Sequence, residues 1–334
     1  MRGQILSFLF GMAFSVTAMA EVALPEATHT LIEALVKNDG FDRTTLTSLF
    51  GSLSKNETIL TKISTPSEKL PWYKYRRIFD GEARVNEGLL FWQENEETLN
   101  RAQAEYHVPP EIIVAILGVE TLYGKSTGQF SVLDALNTLA FHYPPRSEFF
   151  TKELREFLLM TREEGISPLE PKGSYAGAMG KAQFISSSYR HFAVDFDHDG
   201  KRDLLGSASD AIGSVANYFH EHGWKLNDPV VVRAYLNRHG ARSVSMQNPS
   251  ELQSAKLHYS LTRLIERGIR PKTKAIDLTD RPVSLMAFEA EDDVEYWLGF
   301  HNFSVITKYN LSPHYAMAVY NLSEQLKKRK AEKS

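Results

Sequence analysis

The 334-residue chain has no cysteine. This excludes disulfide bridges, thiol nucleophiles, cysteine-ligated metals and a lipid-carrying cysteine behind a leader peptide. Charge of one sign is also scarce. Its 38 Lys and Arg face 41 Asp and Glu, a formal net charge of −3, so no strong cationic field for nucleic acid exists. No internal repeat of solenoid length is visible. Apart from the N-terminus, no apolar run approaches the length of a membrane span.

The N-terminus is set apart. Arg2 precedes the apolar run "ILSFLFGMAFSV", and "AMA" follows at 18–20. A basic start, a short apolar run and small residues describe a cleavable secretory signal over 1-20. An uncleaved membrane anchor is the competing reading, but the run is short for a span. With no cysteine behind the signal, the expectation is a periplasmic protein that is neither a lipoprotein nor stably membrane-spanning.

What is present is ordinary globular material, 43% hydrophobic and 24% charged, enough for a large core. The 19 Phe, 14 Tyr and 4 Trp can line a sugar-binding groove. Apolar spacing and caps place helices over most of the chain. "THTLIEALVKNDG" ends at Gly40, and Asp42 caps the next helix. Val85, Leu89, Trp92, Leu99, Ala102 and Tyr106 mark one long helix. Pro109 and Pro110 end it and start another. Further helices are expected over 149–165, over 207–224 with Ser209 or Asp210 near its cap, and from "SPHY" to the basic end. The 228-300 tract differs: "PVVVRAYL", "VSLMAFEAE" and "EYWLGF" are β-like runs around one helix, "SLTRLIERG". The chain reads as mainly α (α+β) with a small β insertion.

Four stretches carry chemistry. In "EIIVAILGVETLYG", Ile113, Ile116, Leu117 and Glu120 share one helix face, and Gly124 reads as the stop. A carboxylate ending an apolar stripe loses hydration, so its pKa should rise, as a proton donor to a glycosidic oxygen requires. A Glu satisfied by backbone amides or an arginine is the alternative. "GSYAGAMGKAQF" is rich in small residues, which suits either close approach to an extended ligand or tight helix packing. "DFDHDGKRDLLG" sets Asp195, Asp197, Asp199, the Lys201 carbonyl and Asp203 at the ligand positions of a calcium-binding EF-hand loop, but Gly206 replaces the twelfth-position Glu, leaving Asp203, Asp210 or water to compensate. An acidic turn without metal is the other reading. Tyr309, Asn310 and Tyr315 cluster where a loop enters the last helix.

Together "GVETLYG", "SYAGAMGKAQF", "DAIGSVANYFHEHGW" and "ITKYNLSPHYAMAV" resemble the family 3 lytic transglycosylases, of the membrane-bound lytic transglycosylase B type, over about residues 70 to 325. The resemblance implies a lysozyme-like catalytic core acting on peptidoglycan glycan strands, with Glu120 as the single acid/base. It places Tyr75, Ser174, Gln183, Tyr218, Tyr309, Asn310 and Tyr315 in the substrate groove. The implied organisation is a helical region at 21-108, the core with its calcium-type loop at 109-227, the β subdomain at 228-300, and a groove segment, helix and tail at 301-334. Phe149 stands where relatives can carry a groove tyrosine, and Lys181 where an aromatic is common. No second carboxylate pairs with Glu120 in the sequence. The implied chemistry needs none, because the sugar's own acetamido group and 6-hydroxyl act as nucleophiles and leave a 1,6-anhydro end. Ca²⁺ is expected at most as a weak structural ion. A hydrolytic muramidase on the same fold and a silent peptidoglycan-binding protein are the alternatives. A calcium sensor is disfavoured, since there is one such loop.

Overall fold

A computed structural model describes residues 24–65, 70–273, 277 and 279–333. The expected signal at 1-20 and its cleavage site lie outside them. The chain divides into two compact units, Met1–Leu53 and Ser54–Ser334; this boundary falls inside the 21-108 region.

The first unit holds α1 (Glu26–Asp39) and α2 (Arg43–Gly51). Gly40 closes α1 in the left-handed conformation, φ 68°. The Asp42 side chain accepts the Thr45 N–H at 2.7 Å and caps α2. Leu31, Ile32 and Leu35 of α1 and Leu46 and Phe50 of α2 are buried.

The second unit begins with α3 (Glu57–Ile63), α4 (Trp72–Tyr75), α5 (Glu82–Glu94) and α6 (Glu96–Tyr106). The single long helix expected over 85–106 is two. Asn95 leaves helical geometry at φ −118°, ψ 23°, and its side-chain amide donates to the Phe91 carbonyl at 2.8 Å. The apolar spacing survives the break, so periodicity could not reveal it. His107, at φ 60°, closes α6, and α7 (Pro110–Thr121) follows directly. Every residue of α7 from Ile112 to Val119 is buried. A helix apolar on all sides must be surrounded, and α5, α6, α11 (Ala208–Glu221) and α15 (Pro313–Lys333) surround it.

Between them run the two-residue strand β1 (Phe130–Ser131), α8 (Val132–His142), α9 (Ser147–Glu163), β2 (Lys172–Gly173), which pairs with β1, and α10 (Ser186–Phe192). Ser207 caps α11, accepting the Asp210 N–H at 3.1 Å, with Ser209 and Asp210 in the first turn beside it as expected.

The insertion is a five-stranded antiparallel sheet in the order β4 (Tyr259–Ser260), β6 (Pro282–Glu289), β7 (Val294–Gly299), β3 (Val231–Leu236), β5 (Ile269–Pro271). Helix α13 (Leu261–Glu266) is the expected one; α12 (Arg238–Ser245) is not. Only Gly240 and Val244 of α12 are buried, too few for an apolar stripe. Leu261, Leu264, Ile269, Leu285, Leu298 and Phe300 form the insertion's own core. Helix α14 (His301–Tyr309) returns the chain to the helical core. The result is a mainly α fold with a β insertion, as the composition of the segments suggested.

Candidate active site

Glu120 sits in the last turn of α7, and the way that helix ends fixes its position. The expected stop at Gly124 comes two residues late. Leu122 and Tyr123 already have positive φ, 50° and 60°, before Gly124 at 88°. Such conformations cost on the order of 1–3 kcal/mol per non-glycine residue and persist where the surroundings over-determine them. Tyr123 supplies that determination. Its ring stacks on Phe91 at 5.7 Å, and its hydroxyl donates to the Arg84 carbonyl at 2.9 Å. Its slot exists because positions 88 and 118 are glycine. A Cβ would stand 2.4 Å from the Tyr123 hydroxyl at Gly88 and 2.6 Å at Gly118. The Thr121 hydroxyl donates to the Lys181 carbonyl at 2.8 Å and accepts the Gly124 N–H at 2.9 Å.

Among the described residues the Glu120 carboxyl accepts one hydrogen bond, from the Tyr315 hydroxyl at 2.5 Å. Burial pushes its pKa up to about 7, and the tyrosine bond opposes the rise. Among the described residues no cation or second carboxylate contributes to this shift. An arginine-paired structural Glu is therefore ruled out, and near neutral pH the group can both give and take a proton. Tyr315 and Tyr309 have pKa values well above the usual 10, through burial first and then the Glu120 charge, so both stay protonated.

Aromatic rings wall the site. Tyr309 stacks on Tyr315 at 6.4 Å with 9° between ring planes, and Tyr218 meets Tyr309 edge-on at 4.9 Å. The Tyr309 hydroxyl donates to Ala182 O at 2.5 Å and that of Tyr218 to Lys308 O at 2.7 Å. These two donors are committed to backbone, so the residues serve mainly as rigid walls. Gln183, at φ 49°, lines a cavity of about 200 Å³ with Tyr218 and Tyr309. Its amide donates to Thr127 O and Gly180 O, each at 3.0 Å. Tyr75 is buried, with its ring 5.5 Å from His314, next in the chain to Tyr315.

The small-residue stretch is not a packed helix. It is a tight double turn, with Gly173 bridged to Met179 and Met179 to Phe184. Gly180 lies at φ 72° where a Cβ would stand 2.5 Å from Leu204 O. Ser174 Oγ accepts the N–H groups of Ala176 and Ala178 at 3.2 and 3.1 Å, which leaves its own O–H to donate. Asn310 Oδ1 accepts the Ser312 N–H at 3.1 Å, which leaves its NH₂ as donor. Phe149 lies under the Arg146 guanidinium, 4.2 Å from its ring centre. The Lys181 stem packs along Gly124 and its ammonium donates to Leu205 O at 3.2 Å.

The acidic loop departs from its expected ligand set. Asp195, Asp197 and Asp210 bring carboxylate oxygens within 4.8 Å of one another. Asp199 and Asp203 are not in this cluster: Asp199 Oδ1 accepts the Lys201 N–H at 2.9 Å, and Asp203 Oδ1 accepts those of Leu205 and Gly206 at 2.9 and 2.8 Å. A Cβ at 206 would stand 2.4 Å from Asp203 Oδ2, so a side chain there would require the Asp203 carboxylate to turn away. Asp210, fully buried in the first turn of α11, joins the cluster from beyond the loop. It accepts the N–H groups of Phe196 and Asp203 at 2.7 Å and of Asp197 at 3.3 Å. The three-carboxylate set suits a hard, oxygen-seeking cation such as Ca²⁺. Sequence spacing offers Asp210 only beside Asp203 and water as a substitute for the twelfth ligand; its place in the carboxylate cluster comes from the fold. Tyr123 carries no sequence signal of its own, since the glycine after it is the residue that marks a helix end by type.

Comparison with known proteins places residues 25–324 in the match to the family described as "Transglycosylase SLT domain". The chain is 42% identical to membrane-bound lytic murein transglycosylase B of Escherichia coli (strain K12) over 303 residues, 88% of this chain and 80% of that protein. Among solved structures it is similar to the soluble lytic transglycosylase SltB1 of Pseudomonas aeruginosa, with TM-score 0.84, 44% identity, and 92% and 100% of the two chains covered. It is also similar to the Escherichia coli lytic transglycosylase Slt35 in complex with calcium, with TM-score 0.82, 39% identity, and 92% and 94% covered.

Proposed function

The chain belongs to the transglycosylase SLT domain family and is a peptidoglycan lytic transglycosylase, and on that premise we propose that Glu120 alone carries its acid–base chemistry. The observation that supports this is a carboxyl with a pKa near 7 whose hydrogen-bond partner is a tyrosine rather than a charge. Protonated Glu120 gives its proton to the oxygen leaving C1 of the N-acetylmuramic acid residue as the β-1,4 bond to N-acetylglucosamine breaks. The 2-acetamido oxygen attacks C1 at the same time. Carboxylate Glu120 then takes the proton of the same sugar's 6-hydroxyl, whose oxygen displaces the acetamido group and closes a 1,6-anhydro ring. No water is consumed, and the tethered nucleophiles enjoy a high effective concentration. The Ser174 hydroxyl and the Asn310 amide, each with a donor to spare, orient the acetamido and neighbouring groups. Mass spectrometry of products from digested sacculi tests the reading: anhydro ends are one water lighter than those of a hydrolytic muramidase.

Tyr315→Phe removes the bond that opposes the rise in the Glu120 pKa. The expected result is a descending limb of kcat against pH displaced to higher pH, measured on a soluble glycan substrate. A limb that stays in place or moves down would show that Tyr315 does not hold the acid.

Asp195, Asp197 and Asp210 would hold a calcium ion, whose contribution is to tie the loop to α11 rather than to take part in the reaction. Without a bidentate twelfth ligand, affinity in the range of about 10⁻⁴ to 10⁻³ M is expected. Millimolar Ca²⁺ should raise the melting temperature modestly through preferential binding to the native state. Asp195→Ala combined with Asp197→Ala should remove the rise, while Asp199→Ala should leave most of it. Calorimetry with calcium and with chelator reads this directly.

A periplasmic location follows from the sequence signal and the substrate. No helix of the described residues is long and apolar enough to cross a membrane.

A further inference from the structure

The β insertion has an open, cationic face. From Val231 to Lys272 the chain carries eight Lys and Arg against two Asp and Glu, although its net charge as a whole is −3. Strand register sorts these charges. Arg233 of β3 pairs with Trp297 of β7, and Tyr235 pairs with Arg270 of β5. The Lys272 N–H donates to the Arg233 carbonyl at 2.8 Å, which continues the register and sets these two cations opposite each other. Directly opposed residues share one face of a sheet, so Trp297, Arg233, Lys272, Tyr235 and Arg270 form one patch. The alternate residues of β3, Val232, Ala234 and Leu236, pack on the insertion's core. Tyr235 is 59% exposed, and Arg233, Arg270 and Lys272 are exposed with it. Arg233 reaches Glu295 at 3.3 Å, but Arg270 and Lys272 have no ion-pair partner within 4 Å among the described residues. Like charges set opposite each other weaken a sheet, so folding gives no reason for this arrangement.

Toward the helical core the same face ends in a cleft of about 350 Å³. Trp297 and Arg233 line one wall, and Tyr320, Asn321 and Gln325 of α15 line the other. Neither the Tyr320 hydroxyl nor the Asn321 side-chain amide is hydrogen-bonded to another described residue. Tyr320 lies five residues beyond Tyr315, about 140° around the helix. The cleft is therefore on a different side of α15 from Glu120.

Aromatic rings beside free hydroxyl and amide groups suit the apolar face and the hydroxyls of a sugar ring. A row of unpaired cations suits carboxylates repeated along a chain. A polysaccharide that carries carboxylates meets both, and a peptidoglycan strand is such a polymer. We infer that this face of the β insertion is a second, non-catalytic site for a glycan strand, which holds the enzyme on the sacculus while another stretch of polymer enters the catalytic groove. The inference rests on the transglycosylase reading above. A second contact raises the effective concentration of substrate at the first only when the substrate spans both, so the benefit is confined to polymer.

The test compares wild type with a triple variant, Tyr235→Ser, Arg270→Glu and Lys272→Glu, all at exposed positions. Two substrates are used: intact sacculi and a soluble GlcNAc–MurNAc tetrasaccharide, which occupies the catalytic groove alone. The triple variant should turn over the tetrasaccharide as wild type does and lose about tenfold in kcat/KM on sacculi, through a raised KM. Arg270→Lys combined with Lys272→Arg, which keeps the charges, should behave as wild type. In the Glu120→Gln background, cosedimentation with sacculi should weaken by the same factor. Unchanged turnover of sacculi by the triple variant overturns the inference. An equal loss on both substrates also overturns it, because that marks a structural role. Binding to phosphatidylglycerol vesicles that the triple variant loses while keeping its hold on sacculi overturns it too, and assigns the face to a membrane. Failure of wild type to cleave either substrate overturns the catalytic reading, and this inference with it.

Discussion

Glu120→Gln is expected to abolish nearly all turnover on sacculi while the protein folds and holds glycan. The amide has the shape of the acid but no labile proton, and it cannot serve as base on the 6-hydroxyl. General acid–base catalysis is worth about 10² to 10⁴-fold, and in the proposed mechanism one residue performs both proton transfers. A drop of less than about tenfold would end the assignment. The same substitution has a stability signature of known sign. Burial raises the native pKa from 4.5 to about 7, so the native state binds its proton more tightly than the unfolded chain does. The stabilisation linked to that proton is complete below 4.5 and lost as pH rises through 7. The neutral amide escapes this loss. Above pH 7 the Gln variant should therefore gain stability relative to wild type, by at most about 3 kcal/mol. Urea unfolding of both proteins at pH 4.5 and pH 8 measures the difference. No change in their relative stability between the two pH values would mean that Glu120 is better solvated than its surroundings suggest.

Asp210→Ala is expected to be the most destabilising single change in the calcium-type loop. The buried carboxylate accepts three backbone N–H groups, from Phe196, Asp197 and Asp203, and alanine leaves all three without it. Hydrogen bonds to a charged group are worth roughly 1.5–3 kcal/mol each, and an abandoned buried donor costs more than a lost net bond. Allowing for rearrangement, the expected loss is about 4 kcal/mol. It should appear in chelator as well as in calcium, as a lower urea midpoint with an unchanged slope. Asp210→Asn, which keeps one acceptor oxygen, should fall between. If Asp210→Ala matches wild type in chelator and differs only with Ca²⁺ present, then Asp210 is a ligand alone and not the structural keystone of the loop.

The local signals were legible because they depend on near neighbours. Gly40 and Asp42 end and begin helices as read, since a left-handed residue and an Asp side chain act within one turn. The apolar face leading to Glu120 is buried as its spacing demanded. The break at Asn95 was not legible, because two helices in line preserve the apolar period of one. Helix α12 was not legible because it buries only Gly240 and Val244.

By itself, then, the sequence determined the mainly α composition with a β insertion, the desolvated place of Glu120 and the absence of thiol chemistry. All of these follow from the residue types and their spacing along the chain. Only the tertiary structure decided which partner Glu120 meets, that Tyr123 locks the helix end into a slot between Gly88 and Gly118, and that Asp210 rather than Asp199 or Asp203 completes the acidic cluster. Tyr315 is 195 residues from Glu120. A contact across that separation depends on how the helices pack around α7, and no local pattern encodes it.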